Sequence, residues 1–149
     1  MNFARETLDT CLNEAKPLLI DHWKEIAQYD DILLDVDTER YYNLERSGFL
    51  RIYTARKDGL LVGYAVFVVN THPHYKNSLQ AMQDIIFIHP SHRGTGGKFI
   101  LWCDRQLKDE GVQVVFHHIK AKHDWGKMLE RFGYELIDKI YGRRLDRWD

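Results

Sequence analysis

The stretch DIIFIHPSHRGTGGKFILWCDRQLKDEGVQVV, Asp84 to Val115, decides the fold. Its apolar run Ile85–Ile88 stops at His89-Pro90, and a basic, glycine-rich turn follows: Arg93, Gly94, Thr95, Gly96, Gly97 and Lys98. An amphipathic segment then runs to Gly111, with Phe99, Ile100, Cys103 and Leu107 on its apolar face and Lys98, Asp104, Arg105, Lys108 and Asp109 on its polar one. Val112 to His118 is β-branched and reads as a strand. The order is strand, turn, helix, strand, and a helical crossover makes the two strands parallel neighbours. Glycines remove Cβ atoms from the turn, so backbone N–H groups can converge on a guest, and the helix behind adds its unpaired N-terminal donors and the positive end of its dipole. A phosphate is the guest such a turn suits.

Upstream, Leu50–Arg56 alternates, Lys57-Asp58-Gly59 is a turn, and Leu60–Asn70 is β-branched and aromatic, which predicts a β-hairpin. Residues 71–77, THPHYKN, are polar and turn-rich, and Leu79–Ile88 resumes as a third strand. Before the hairpin, Leu8, Cys11, Leu12, Ala15, Leu18, Leu19, Trp23 and Ile26 recur at helical spacing, with Pro17 predicting a kink or two helical pieces. His22 on this face reads as a hydrogen-bonded core residue. Asp37 is placed to cap a short helix that Gly48 ends, on which Tyr41, Tyr42 and Leu44 read as packing residues. Downstream, Asp124 caps a helix through Phe132, Gly133 ends it, and Tyr134–Leu145 reads as a last strand bent near Gly142. The expected fold is α/β (α+β): one domain over 1–149, with a mixed, mostly antiparallel sheet flanked by helices.

Composition narrows the function. With 149 residues, 44% hydrophobic and 29% charged, the chain is long enough and apolar enough to bury a core. A formal net charge of −1 gives no general attraction to nucleic acid, and Arg143, Arg144 and Arg147 are too few to form a basic footprint. Cys11 and Cys103 lie far apart, with no disulfide framework or zinc spacing, so a reducing, cytoplasmic setting is the default. No run approaches transmembrane length and no signal-peptide profile is present. His72 with His74 and His117 with His118 form two pairs without third-ligand spacing, so no metal is expected.

The turn Arg93-Gly94-Thr95-Gly96-Gly97 resembles the phosphate turn of the GNAT superfamily of N-acetyltransferases, whose pattern is Arg or Gln, two free positions, Gly, one free position, then Gly or Ala. Lys98 departs from it at the last position. The order of elements and the junction Leu129-Glu130-Arg131-Phe132-Gly133-Tyr134 are similar to the superfamily's, from about Leu50 onward, and the HPHY loop, the GVQVVFHHIK strand and the YGRRLD tail look like a phage and bacterial branch. The resemblance implies acetyl-CoA as cosubstrate. Its pantetheine would lie along the strand at Ile86, Phe87 and Ile88, held by the backbone of Ile86 and Ile88, with its pyrophosphate on Arg93, Gly94, Thr95, Gly96, Gly97 and Lys98.

By the same resemblance, a primary amine of a small molecule or protein would attack the thioester. That chemistry calls for a base, a donor to the carbonyl oxygen and a proton for the thiolate. Asp84, on the strand before the turn, is the first choice for the base, with a strand-edge hydrogen-bond acceptor as its plainer reading. His118 is the second choice, because imidazole titrates in the useful range. Strand alternation sends His117 and His118 to opposite faces and leaves open which one points inward. The superfamily's usual tyrosine acid falls on Leu129, which cannot donate a proton; Tyr134, Tyr141 or the HPHY loop would have to substitute, or the thiolate would leave unaided. Trp102 reads as core and Trp125 as a residue flanking the cofactor entrance. Two functional readings follow: an N-acetyltransferase, or a GNAT-like module that binds acyl-CoA or a partner without chemistry, as Leu129 and Lys98 suggest. A homodimer through the last strand is compatible with either.

Overall fold

Asp58 and Gly59 both take positive φ, 50° and 81°, and this pair of left-handed residues closes the tight hairpin that the sheet grows from. In the computed structural model, which describes residues 1–148, the elements run β1 (Asn2–Arg5), α1 (Leu8–Ile26), α2 (Thr38–Arg46), β2 (Leu50–Lys57), β3 (Leu60–His72), β4 (Tyr75–Ile88), α3 (Gly96–Asp109), β5 (Val114–Phe116) and α4 (Gly126–Arg131). The strands form one sheet in the order β1-β2-β3-β4-β5, antiparallel except for the β4–β5 pair. The architecture is the expected mixed, mostly antiparallel sheet with helices on both faces.

Strand alternation feeds two apolar layers. Ala65, Phe67 and Val69 of β3 face α3, where Phe99, Cys103 and Leu107 are buried to 1% exposure or less. Tyr64 and Val66 face α1, which contributes Leu8, Cys11, Leu18 and Leu19. His22 is buried here, its Nδ1 lying 2.9 Å from the Tyr64 hydroxyl and its ring stacked 4.9 Å from Phe87, so the core reading of this histidine holds. Gly63 is a point of close approach between β3 and β4. A Cβ there would lie 2.8 Å from the Phe87 carbonyl oxygen and 2.9 Å from Ile88 Cγ1.

The Asp37 cap is present, its carboxylate accepting the Arg40 N–H at 3.0 Å, and Gly48 and Gly133 take the positive φ that ends their helices. Several expectations need correction. α1 runs unbroken through Pro17, because Pro17 and Asn13 are exposed and water can satisfy the carbonyl that loses its partner. β4 begins at Tyr75 rather than Leu79, since HPHY is itself the hairpin turn, pairing His72 with Tyr75. β5 is only Val114–Phe116. Asp104 is half-buried rather than solvent-facing. β1 was not anticipated; it pairs with β2 from Asn2↔Arg56 to Arg5↔Tyr53. Behind it Arg56 bridges Glu6 at 2.8 Å and Glu14 at 2.9 Å, tying the edge strand to α1. Finally, Tyr134–Leu145 is no strand: it leaves α4 as an unpaired segment.

Candidate functional site

β4 and β5 part company early. Their pairing covers only Gln80↔Val114 to Met82↔Phe116, so from Gln83 onward β4 has a neighbour on one side only. At the point of parting, the β3–β4 register steps from Phe67↔Gln83 to Val66↔Ile85, leaving Asp84 without an opposite residue. This is a β-bulge, a device that bends a strand and re-aims its side chains. The outcome is a fork between β4 and β5 with Asp84 at its apex.

Beyond the bulge the backbone alternates in direction. The His89 N–H donates to the Val62 carbonyl at 2.8 Å, so His89, Phe87 and Ile85 turn their polar groups toward β3. Ile86 and Ile88 therefore turn theirs to the open edge. Phe87 differs from these two: its backbone serves β3 and its ring is buried against His22.

The open edge leads into the glycine turn. His89 caps it through Nδ1, 3.3 Å from the Ser91 N–H, and a 3-10 helix over Pro90–Thr95 passes directly into α3. The three glycines do different things. A Cβ at Gly94 would meet nothing within 4 Å, and one at Gly96 would meet only Ile88 Cδ1 at 4.0 Å, whereas one at Gly97 would press on Phe132 Cζ at 3.0 Å. Gly97 thus lets α3 pack closely on Phe132 at the end of α4. Gly94 and Gly96 leave a bare backbone surface that the protein's own packing does not call for, as a cradle for an approaching phosphate would. Lys98 is exposed on the first turn of α3. Arg93 is engaged: its Nε donates to the Ile88 carbonyl at 3.1 Å and its Nη2 meets both Glu25 oxygens at 2.5 and 2.6 Å. Glu25 also lies 3.8 Å from His123 Nε2, so one carboxylate links α1, the turn and the loop after β5.

Two polar pairs flank the fork. On the α2 side, the Tyr41 hydroxyl donates to Asp84 Oδ2; burial, reinforced by this hydrogen bond, pushes the tyrosine's pKa up. Tyr41 and Tyr42, read from sequence as packing residues, both spend their hydroxyls on carboxylates, Tyr42 on Asp9 at 2.6 Å. An apolar cavity of about 80 Å³ lies beside Tyr41, between α1, α2 and the sheet, and reaches Tyr64, Val66 and Ile85. On the α3 side, His117 Nδ1 is 2.7 Å from Gln83 Oε1, and its Nε2 is buried without a partner. Burial pulls the His117 pKa down to about 4, so the ring is neutral near pH 7. His117 is thus the inward member of the histidine pair, and His118 is exposed.

Leu129 is buried on α4, where a proton donor would be sought. Tyr134 sits edge-on to His117, with ring centroids 5.2 Å apart, and its hydroxyl donates to Asp104 at 2.7 Å; burial raises the pKa of both groups. Tyr141 is 90% exposed and Tyr75 is 61% exposed. Trp102 packs on Phe3 and Tyr53 as a core residue, whereas Trp125 lies 5.7 Å from His117. Among the described residues, no group of three or more His, Cys, Asp or Glu is placed to hold a metal ion, and no helix is long and apolar enough to cross a membrane.

Asp84, Ile86, Ile88 and the turn Arg93–Lys98 thus lie along one continuous edge, as the sequence suggested. His117, one of the two histidines between which the sequence left the choice open, joins them, as do Tyr41, read from sequence as packing, and Gln83 and Glu25, which sequence reasoning did not single out. For Gln83 the available signal was a glutamine inside the apolar strand AMQDIIFI.

No family model matches the chain, and no curated protein sequence matches it. Solved structures do. A ribosomal-protein-alanine N-acetyltransferase from Brucella melitensis biovar Abortus 2308 superposes with a TM-score of 0.71 at 20% identity, over 97% of this chain and 100% of that one. A predicted acetyltransferase with acetyl-CoA from Clostridium acetobutylicum gives 0.67 at 14% identity, over 99% and 97%. The aminoglycoside N-acetyltransferase AAC(6')-Iy, in complex with a bisubstrate analogue, gives 0.69 at 17% identity, over 96% of both chains. At these identities the likeness is one of fold. With its forked β4–β5 pair and the glycine turn at the start of α3, the chain has the GNAT acetyltransferase fold.

Proposed function

We propose that the protein is an acetyl-CoA-dependent N-acetyltransferase acting on a primary amine of a small molecule or a protein. One observation carries the reading: the open edge of β4 runs without interruption from the Asp84 bulge to a turn whose Gly94 and Gly96 leave bare backbone. Bound acetyl-CoA would supply an acetyl thioester at the fork. Ile86 and the Ile88 N–H offer the edge to an extended pantetheine, and the bare surface at Gly94 and Gly96 gives the pyrophosphate room to approach beside the Lys98 charge. Asp84 takes the proton from the acceptor amine, directly or through a water, as the amine nitrogen bonds to the acetyl carbon and the carbon–sulfur bond breaks. Tyr41 holds the Asp84 carboxylate in place by its hydroxyl. With Leu129 buried, the departing thiolate takes its proton from solvent.

A second reading, binding without turnover, draws on two features: the missing donor at Leu129, and an Arg93 already satisfied by Glu25. Titration of CoA and of acetyl-CoA by calorimetry, with thiol release measured across a panel of amines, separates the two. CoA binding with no release on any amine supports the second, and no CoA binding at millimolar concentration sinks both. A pair of variants tests the turn itself. Gly96→Val should leave the thermal midpoint near wild type while weakening CoA binding at least tenfold, about 1.4 kcal/mol. Gly97→Val, whose added bulk the Phe132 ring must move aside to admit, should instead cost roughly 1–3 kcal/mol of stability.

A further inference from the structure

The apolar cavity of about 80 Å³ beside Tyr41 has two unlike walls. Cys11, Leu19, Ile52, Tyr64 and Val66 are buried, whereas Trp23, Val36, Tyr41 and Ile85 are half-buried and mark the side toward water. Two residues of that wetter side touch Asp84. Tyr41 lines the cavity with its ring and donates its hydroxyl to the Asp84 carboxylate, and Ile85 follows Asp84 directly, kept on the same face of β4 by the bulge. Cavity and carboxylate are thus one side chain apart.

The lining has little to offer a polar guest. Tyr41 spends its hydroxyl on Asp84, Tyr64 pairs its own with His22 Nδ1 at 2.9 Å, and the Cys11 thiol donates to the Thr7 carbonyl at 3.4 Å. Trp23 adds an indole N–H, which donates and cannot accept. A hydroxyl or a second ammonium placed in this space would lose its water and find no acceptor in return. A hydrocarbon group gives up no hydrogen bond there, and it supplies contacts that the walls otherwise lack. Size narrows the class further. A dry apolar cavity of about 150 Å³ takes up benzene, so one of about 80 Å³ matches a compact branched group of roughly three or four carbons.

We propose that this cavity selects the acceptor: a primary amine that carries a compact, branched apolar group a short chain away from its nitrogen, with the group in the cavity and the nitrogen at Asp84. An alkylamine is an ammonium near pH 7, so the exposed Asp84 carboxylate complements its charge while the cavity complements its hydrocarbon. On the acetyltransferase reading, on which this assignment rests, the nitrogen bonds to the acetyl carbon as the carbon–sulfur bond breaks. Its proton passes to Asp84, and the thiolate takes one from solvent.

3-Methylbutylamine and 4-aminobutan-2-ol test it on the full chain, since they differ only by a hydroxyl in place of one methyl group. With saturating acetyl-CoA, thiol release should give the first amine a kcat/KM roughly 10–200-fold higher, the range over which an apolar pocket separates such pairs. Equal values on the two amines overturn the proposal and leave the acetyltransferase reading standing. If neither amine is acetylated, binding decides. At about 10 mM amine, well above a millimolar dissociation constant, the methyl resonances of Val36, Val66 and Ile85 should move with 3-methylbutylamine and stay with 4-aminobutan-2-ol. Resonances that stay with both, or move alike with both, overturn the proposal; movement without thiol release keeps the apolar site and removes the transfer reading instead. Ala15→Leu fills the space from α1 and should weaken 3-methylbutylamine binding at least tenfold, with CoA affinity and the thermal midpoint no lower than wild type. Val36→Phe, filling it from the wetter side, should do the same. Undiminished binding of 3-methylbutylamine in either folded variant overturns the proposal as well.

Discussion

Gln83 and Asp84 are adjacent on β4 and serve opposite sides of it. Gln83 is buried and hydrogen-bonds His117 in the α3 layer; Asp84 is exposed and takes the Tyr41 hydroxyl from α2. One pair is dry, and burial keeps its imidazole neutral; the other borders water and carries a carboxylate. The difference shows how a strand at a fork divides labour. A charge placed on the wet side keeps its solvation and is free for proton transfer, whereas on the dry side only a neutral partner is affordable. Strand alternation produces this contrast, and the bulge keeps Ile85 on the same side as Asp84 and leaves Asp84 with no residue opposite it on β3.

The largest expected effect is on the wet side. Asp84→Asn should lower turnover on any accepted amine by about 10²–10⁴-fold, the range of general base catalysis, with acetyl-CoA binding and the thermal midpoint near wild type. Undiminished turnover would reduce Asp84 to a hydrogen-bond acceptor for Tyr41.

The dry side should show itself in stability rather than rate. His117 and His22 are both pulled down to about 4 by burial, against 6.5 in the unfolded chain. Between those values the unfolded chain binds protons that the folded one refuses, so stability is complete above about pH 6.5 and falls as pH drops toward 4. Each histidine should contribute a loss of roughly 2–4 kcal/mol over that window, readable as a falling urea midpoint. His117→Phe should remove about half of the slope, and a slope unchanged by it would place the effect elsewhere.

The smallest effect belongs to the hydroxyl that supports the wet side. Tyr41→Phe should cost about 1 kcal/mol, roughly fivefold in turnover, because Asp84 stays hydrated when its donor goes. A loss as large as that of Asp84→Asn would make Tyr41 a participant in the chemistry.

What the sequence could disclose follows from how local each feature is. The helix after the glycine turn was legible because Phe99, Ile100, Cys103 and Leu107 repeat at helical spacing, and all four are buried. The edge from Asp84 to Lys98 was legible because its parts are contiguous in the chain. β1 was not, since four residues carry too little periodicity, and its order rests on Arg56 and Glu6, far apart in sequence. The Tyr41–Asp84 and His117–Gln83 pairs depend on where strands stop pairing, which is a property of the assembled sheet. The last stretch misled for a related reason: Tyr134–Leu145 has the residues of a strand, but within one chain it has no strand beside it.

Gly63 sits on β3, on the far side of β4 from the fork, yet it governs the width of the groove. With no side chain it lets β3 lie hard against the backbone at Phe87 and Ile88, so β4 rests against a stop rather than floating on its hydrogen bonds. A single methyl group at this position would act as a wedge, driving Ile86 and Ile88 toward the open side and narrowing the groove without altering any residue that lines it. The gauge of the cleft is thus set from behind, by an atom that is not there.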